Sequence, residues 1–334
     1  MKKSMTYLFF LLIATTFIGC SKWNTNYDNA FEKAKNDGKP VLVYFDASAW
    51  DEGSKTFDES VLGTKDFEKK ASEIYTLVKI VLPDDPNKEL SDAEKQAVDL
   101  VSKYKLQMIP AIYLHLSTGE PYAMPYFSPS DELTVDAVLA KLSEYDAVKT
   151  AAEAKIAEIN SKESNLEKAK AIEEYIRMSD ENVYHFTKPY MEQVLDLTRD
   201  DEDPEAKDLF YKFTISIADI TASDLFQAQK LDEAFNVFTE LMANTNLKPA
   251  DTFTAYYMMC YLSAFKGSPI EEINGYAAKA KAADPKNANV PYLEELLVSI
   301  KDSYAQQAEY EKQMQEQAAA QAAQADSAAT EDAE

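Results

Sequence analysis

Three short, mainly apolar runs mark the first half of the chain, at residues 41–45, 74–82 and 111–116, the first of them unbroken. They are rich in β-branched and aromatic residues and have strand length, a pattern that suits strands buried on both faces. Amphipathic stretches lie between them. Residues 27–36 place Tyr27, Ala30, Phe31 and Ala34 on one helical face, and Asp37-Gly38 ends that helix. Residues 58–72 predict a second helix. Ser91-Asp92-Ala93-Glu94 is a capping box that opens a helix through Tyr104. Ser117-Thr118-Gly119-Glu120 reads as a turn before a fourth strand at 122–127. Residues 131–145 form an amphipathic helix carrying Leu133, Val138, Leu139 and Leu142. The predicted order is helix, strand, helix, strand, helix, strand, strand, helix. A crossover helix between buried strands implies a parallel pair, and a short turn implies an antiparallel hairpin.

From about Ala147 the strand signals vanish and Ala, Glu, Lys and Leu recur at helical spacing. Helices are predicted over 149–178, 190–198, 252–265 and 270–283, with paired helices across 210–242 and an acidic connector at 199–205. Ala280-Lys281-Ala282-Ala283-Asp284-Pro285 resembles the close of a tetratricopeptide (TPR) unit, and a comparable pair is centred on Leu231-Asp232-Glu233-Ala234. The pairs are about 38 residues apart rather than the usual ~34, so the expectation is TPR-like helical hairpins, not a regular array. Residues 315–334 dissolve into Ala, Gln and acid, a composition expected to be disordered.

The formal charge of −24 makes nucleic acid an unsuitable partner, because the surface repels phosphate. Few Gly (7) and Pro (13) favour a helix-rich protein. The first residues look like a targeting segment: Lys2 and Lys3, then an apolar run over 7–18, too short for a span of ~20 residues. It ends in Phe17-Ile18-Gly19-Cys20, which resembles a bacterial lipobox, with Phe17 departing from the preferred Leu. That resemblance implies cleavage before Cys20 and diacylglycerol on its sulfur, hence a lipid-anchored protein of the cell envelope. Ser21 gives no inner-membrane retention signal of the Asp type, so the resemblance favours the outer membrane. Cys260 then remains as the single thiol, in the apolar helical stretch Tyr257-Met258-Met259-Cys260-Tyr261, where packing is the expected role.

Lys39-Pro40-Val41-Leu42-Val43-Tyr44-Phe45-Asp46-Ala47-Ser48-Ala49-Trp50-Asp51-Glu52-Gly53-Ser54, the later Asp58-Glu59-Ser60-Val61-Leu62, and Tyr104-Lys105-Leu106-Gln107-Met108-Ile109-Pro110 carry a second resemblance. Together with the element order they are similar to the thioredoxin fold, over about 23–145. The resemblance implies a cis-proline at Pro110 and a motif after Trp50 in which two cysteines react. Here those positions read Asp51 and Ser54. Asp51 suits a helix start and keeps an anion on the donors that would stabilise a thiolate, but it cannot transfer electrons.

Other chemistry fares poorly. Ser54 would need a base, and the chain has only His115 and His185. The five residues from Pro110 to His115 along a strand span about 16 Å. No zinc, iron–sulfur or calcium-loop spacing occurs, so neither metal nor cofactor is expected. The expected organisation is a signal peptide at 1–19, a linker at 20–26, a thioredoxin-like α/β domain at 27–146, an all-α TPR-like region at 147–314 and a tail at 315–334. The expected function is a redox-inactive binding or scaffold protein with a protein or peptide partner, attached to a membrane through Cys20. Two alternatives are an accessory thiol–disulfide oxidoreductase that borrows a partner thiol and a nutrient-capture lipoprotein.

Overall fold

The computed structural model describes residues 21–85, 88–128, 130–244 and 247–331, and the side chains of these except 244 and 319–331. The leader and Cys20 lie outside the described residues. The chain divides into two compact units, Met1–Ile156 with Ser179–Phe186, and Ala157–Met178 with Thr187–Glu334.

The first unit begins with α1 (Tyr27–Asp37), capped by Asn26, whose side chain accepts from Asn29 N, and closed by Gly38 at φ 67°. It continues with β1 (Val41–Asp46), α2 (Glu52–Phe57), α3 (Lys65–Ile74), β2 (Thr76–Val81), α4 (Asp92–Tyr104), β3 (Ala111–His115), β4 (Pro121–Ala123) and α5 (Val135–Ser143). The strands form one sheet in the order β2-β1-β3-β4. β1 runs parallel to β2 and antiparallel to β3, and β3 is antiparallel to β4. This is the thioredoxin-like α/β order that the apolar runs predict.

Every residue of β1 is buried. Val41, Val43 and Phe45 pack with Tyr27, Ala30, Tyr104 and Tyr113 in a core that also takes Val183 from the returning segment. On the alternate side of the pleat, Tyr44 packs against Trp23 and Phe57, with ring centroids 5.9 and 6.4 Å away. The Ser91–Glu94 capping box is present.

Three boundaries differ from the periodicity. The fourth strand stops at Ala123, because Pro125 has no N–H to donate to the ladder. The helix expected over 58–72 is split. A π turn at Asp58–Leu62 follows α2, and α3 restarts at Lys65 under the cap Thr64. Gly63 makes the split, since a Cβ there would lie 2.9 Å from Asp58 Oδ2 and 3.0 Å from its carbonyl oxygen. The helix expected from 131 starts at Val135, where Thr134 accepts from Ala137 N.

The chain goes on through α6 (Asp146–Ser161), α7 (Asn165–Met178), a 3-10 turn at Tyr184–Thr187, α8 (Lys188–Thr198), α9 (Pro204–Gln227), α10 (Leu231–Asn244), α11 (Pro249–Phe265), α12 (Ile270–Ala283) and α13 (Val290–Glu331). The second unit has no strand among its described residues. One core gathers Ala222, Phe238, Ala255 and Leu262 from α9, α10 and α11; another gathers Phe253, Cys260, Ile273, Leu293 and Ile300 from α11, α12 and α13. Within the tail expected to be disordered at 315–334, α13 runs on through residues 315–331. Ala and Gln are good helix formers and no Gly or Pro interrupts the run, so backbone propensity sustains a helix that has no apolar face. Among the described residues no helix is long and apolar enough to cross a membrane.

Candidate functional site

β1 delivers the chain to the site. Its last residue, Asp46, leads into a tight turn in which Trp50 N and Asp51 N both donate to the Ala47 carbonyl, at 3.0 and 2.9 Å. The turn throws Trp50 outward, to 52% exposure. Asp51 is the N-cap of α2, with extended backbone, and its Oδ2 accepts from Ser54 N at 2.6 Å. A carboxylate here satisfies one of the free donors of the helix start and lies at the positive end of the helix dipole.

Ser54 sits one turn in and is fully buried. Its hydroxyl oxygen has no hydrogen-bond partner among the described residues. The Tyr44 hydroxyl lies 3.4 Å from the Ser54 carbonyl oxygen and 3.3 Å from Asp46 Oδ1, and its single proton goes to one of the two. Desolvation, then the neighbouring Asp46 and Asp58, hold that phenol far above its usual range, so it stays a neutral donor.

Beneath the helix lies a half-hidden charge cluster. Lys79 Nζ is 2.5 Å from Asp58 Oδ1 and 3.4 Å from Asp46 Oδ2. Asp46 Oδ1 also accepts from Ser48 N at 2.9 Å. The ammonium stands over the Tyr44 and Trp23 rings, 5.4 and 5.8 Å from their centroids. Trp23 is fixed by donating Nε1–H to the Leu62 carbonyl at 3.0 Å. Two carboxylates around one ammonium leave one net negative charge at this place. The sequence signal for it was a lone Lys inside the apolar run 74–82 and an Asp closing another, and periodicity alone gave it no weight.

The Ile109–Pro110 peptide bond is cis. Pro110 faces the start of α2: a Cβ on Gly53 would lie 3.8 Å from Pro110 Cδ and 3.2 Å from Asp51 Oδ2. Trp50, Asp51 and Pro110 are thus brought together, with Gly53 leaving the space between the carboxylate and the proline ring open. Next to them runs a groove of about 380 Å³, lined by Trp50, Leu82, Val98, Leu106, Met108 and Ile109 among others. Met108 (46%) and Val98 (41%) expose apolar surface there. Sequence reasoning placed Met108 only as a neighbour of Pro110 and missed Val98, which looks like an ordinary member of an amphipathic helix.

His115 is far from this place. It pairs with Val41 at one end of β1, whereas Ala111 pairs with Phe45 at the other. Its ring is fully engaged: Nδ1 is 2.8 Å from the Gly119 carbonyl oxygen and Nε2 is 2.9 Å from the Tyr104 hydroxyl. Because a carbonyl only accepts, Nδ1 carries the proton, Tyr104 donates to Nε2, and Tyr27 donates to Tyr104 at 2.8 Å. Ser54 therefore has no base in His115. No group of His, Cys, Asp and Glu that could hold a metal ion occurs among the described residues. Cys260 is fully buried in α11, and desolvation pushes its thiol up to about 11.

The family match to residues 27–143 agrees with the fold of the first unit. No curated protein matches the chain. Among solved structures, a DsbH oxidoreductase is similar at 22% identity, over 36% of this chain and 81% of that one, with a TM-score of 0.32. Residues 209–308 match a family described as an uncharacterised protein C-terminal domain. Residues 27–143 match the thioredoxin-like domain family, so the N-terminal part of this protein is a thioredoxin-like domain, followed by a C-terminal region of helices.

Proposed function

We propose that this is a lipid-anchored cell-envelope protein whose thioredoxin-like domain binds an extended polypeptide without reacting with it. In this reading the helical region meets a protein partner, and the lipid on Cys20 holds both at a membrane, the outer one in a two-membrane envelope. One observation carries the proposal. The helix start beside Trp50 and Pro110, where a thioredoxin-like enzyme presents its nucleophilic sulfur, is occupied by Asp51, hydrogen-bonded to its own helix. The exposed apolar groove next to it supports binding, because such surface is more costly to leave in water than to cover.

Trp50 offers a direct test. The two tryptophans differ, Trp23 being buried and Trp50 half exposed, so a blue shift on adding reduced, alkylated ribonuclease A, which has no tryptophan, reports on Trp50. The expected result is a saturable shift that Trp50→Ala abolishes. No shift, or one that survives the substitution, would contradict the proposal. For the anchor, Cys20→Ser is expected to move the protein from the membrane fraction to the soluble one.

An accessory oxidoreductase drawing on Cys260 is disfavoured by that residue's burial and its raised thiol pKa. For nutrient capture by the helical region the support would be three or more solvent-facing Tyr or Trp in one groove, and the cleft along α13 at Pro291, Glu294, Val298 and Asp302 is lined by neither.

A further inference from the structure

We infer that the groove selects polypeptide segments in which a cationic side chain lies within a residue or two of an apolar one, and that Asp51 is the residue that makes the choice. This rests on the peptide-binding reading above and specifies its ligand. Three observations lead to it.

The first is the distribution of paired and unpaired carboxylates. Around this end of the domain, Asp46 and Asp58 share Lys79, Asp84 is 2.6 Å from Lys88, and Asp131 is 2.5 Å from Lys141. Asp51 and Glu52, consecutive at the end of the groove, have no cationic partner among the described residues. Asp51 Oδ2 is committed to Ser54 N. That leaves Oδ1 with its lone pairs for an incoming donor.

The second is the shape of the site. Trp50 precedes Asp51 and Ile109 precedes Pro110, so the carboxylate stands where the apolar lining ends. Gly53 is exposed, and any side chain there would press on the carboxylate from 3.2 Å. Its absence keeps the approach between Asp51 and Pro110 clear. An apolar side chain seated against Trp50 and Met108 would leave the residue two along in an extended segment, ~6.6 Å away, on the same face and directed toward Asp51.

The third is charge. The chain carries a formal −24, so its field draws cationic segments in and repels acidic ones. A lysine or arginine in that place gains a charge-assisted hydrogen bond at the mouth of an apolar groove, where water screens it less than on an open surface.

The test uses the full-length protein in calorimetric titrations with three capped pentapeptides: Leu-Phe-Lys-Ala-Leu, and the same peptide with Gln or Glu in place of Lys. Asp51→Asn is the variant, since Asn caps a helix as well as Asp does. The expected result is that the Lys peptide binds at least about fivefold more tightly than the Gln peptide, that the Glu peptide binds most weakly, and that Asp51→Asn brings the Lys-to-Gln ratio to within about twofold. Equal binding of all three peptides, or a Lys preference unchanged in the variant, would overturn the role of Asp51 while leaving the groove as a peptide site. Binding of none would overturn the groove reading itself, and this inference with it.

Discussion

The Asp51 carboxylate accepts a 2.6 Å hydrogen bond from the backbone N–H of Ser54, one turn into α2. The two positions at which the sequence resemblance would place reacting cysteines are thus joined to each other by a helix cap. A capping carboxylate is worth about 1 kcal/mol against Ala and differs little from Asn. Asp51→Ala should therefore lower the urea midpoint of the thioredoxin-like domain by about that free energy, and Asp51→Asn by a few tenths. Both tryptophans, Trp23 and Trp50, belong to this domain, so their emission follows its unfolding.

Lys79 should be far less replaceable. Lys79→Gln leaves Asp46 and Asp58 as two carboxylates without a counter-charge, one of them buried. The expected loss is about 2–3 kcal/mol, at the low end for a buried pair because the lysine is partly exposed. By contrast, Lys33→Gln breaks an exposed pair with Asp37 and should cost under about 0.5 kcal/mol. Equal losses in urea titrations would show that the Lys79 cluster is solvated like a surface pair.

Burial lowers the His115 pKa from 6.5 to about 4, assisted by Lys103 and opposed by the Gly119 carbonyl. The folded state therefore resists a proton that the unfolded state takes up. Stability is complete above about pH 6.5, falls as pH drops toward 4, and loses up to about 3 kcal/mol from this group across that window. His115→Gln should flatten the slope between pH 6.5 and 4 in parallel unfolding curves. An unchanged slope would mean that His115 titrates normally.

Cys260 should behave as an inert core residue. In a chain beginning at Ser21, a disulfide reagent such as Ellman's should label no thiol on the minute scale in buffer and one in denaturant. Prompt labelling of the folded protein would restore the reading in which this thiol takes part in exchange.

The fold was legible where burial on both faces leaves a continuous apolar signature. β2 and β3 fall inside the runs that predict them, β1 exceeds its run by the single residue Asp46, and Ser91 and Glu94 cap α4 as their spacing implies. It was less legible where a single residue overrides periodicity. Gly63 splits a helix by close approach to Asp58, and Pro125 cuts a strand short. The return of Ser179–Phe186 to the first unit, where Val183 joins its core, leaves no mark, since a lone valine in a polar stretch reads as a loop. At the site, Trp50, Asp51 and Pro110 could be named from their order along the chain. The Lys79 cluster could not, because it joins residues 46, 58 and 79 that only the folded sheet and the π turn bring together.

The claim that this domain keeps a thioredoxin-like frame without its reaction is tested most directly by insulin reduction in the presence of dithiothreitol, comparing the natural protein with Asp51→Cys/Ser54→Cys. The account predicts no turnover above dithiothreitol alone for the natural protein and clear turnover for the double variant. Turnover by the natural protein, or a folded double variant that remains inert, would contradict it.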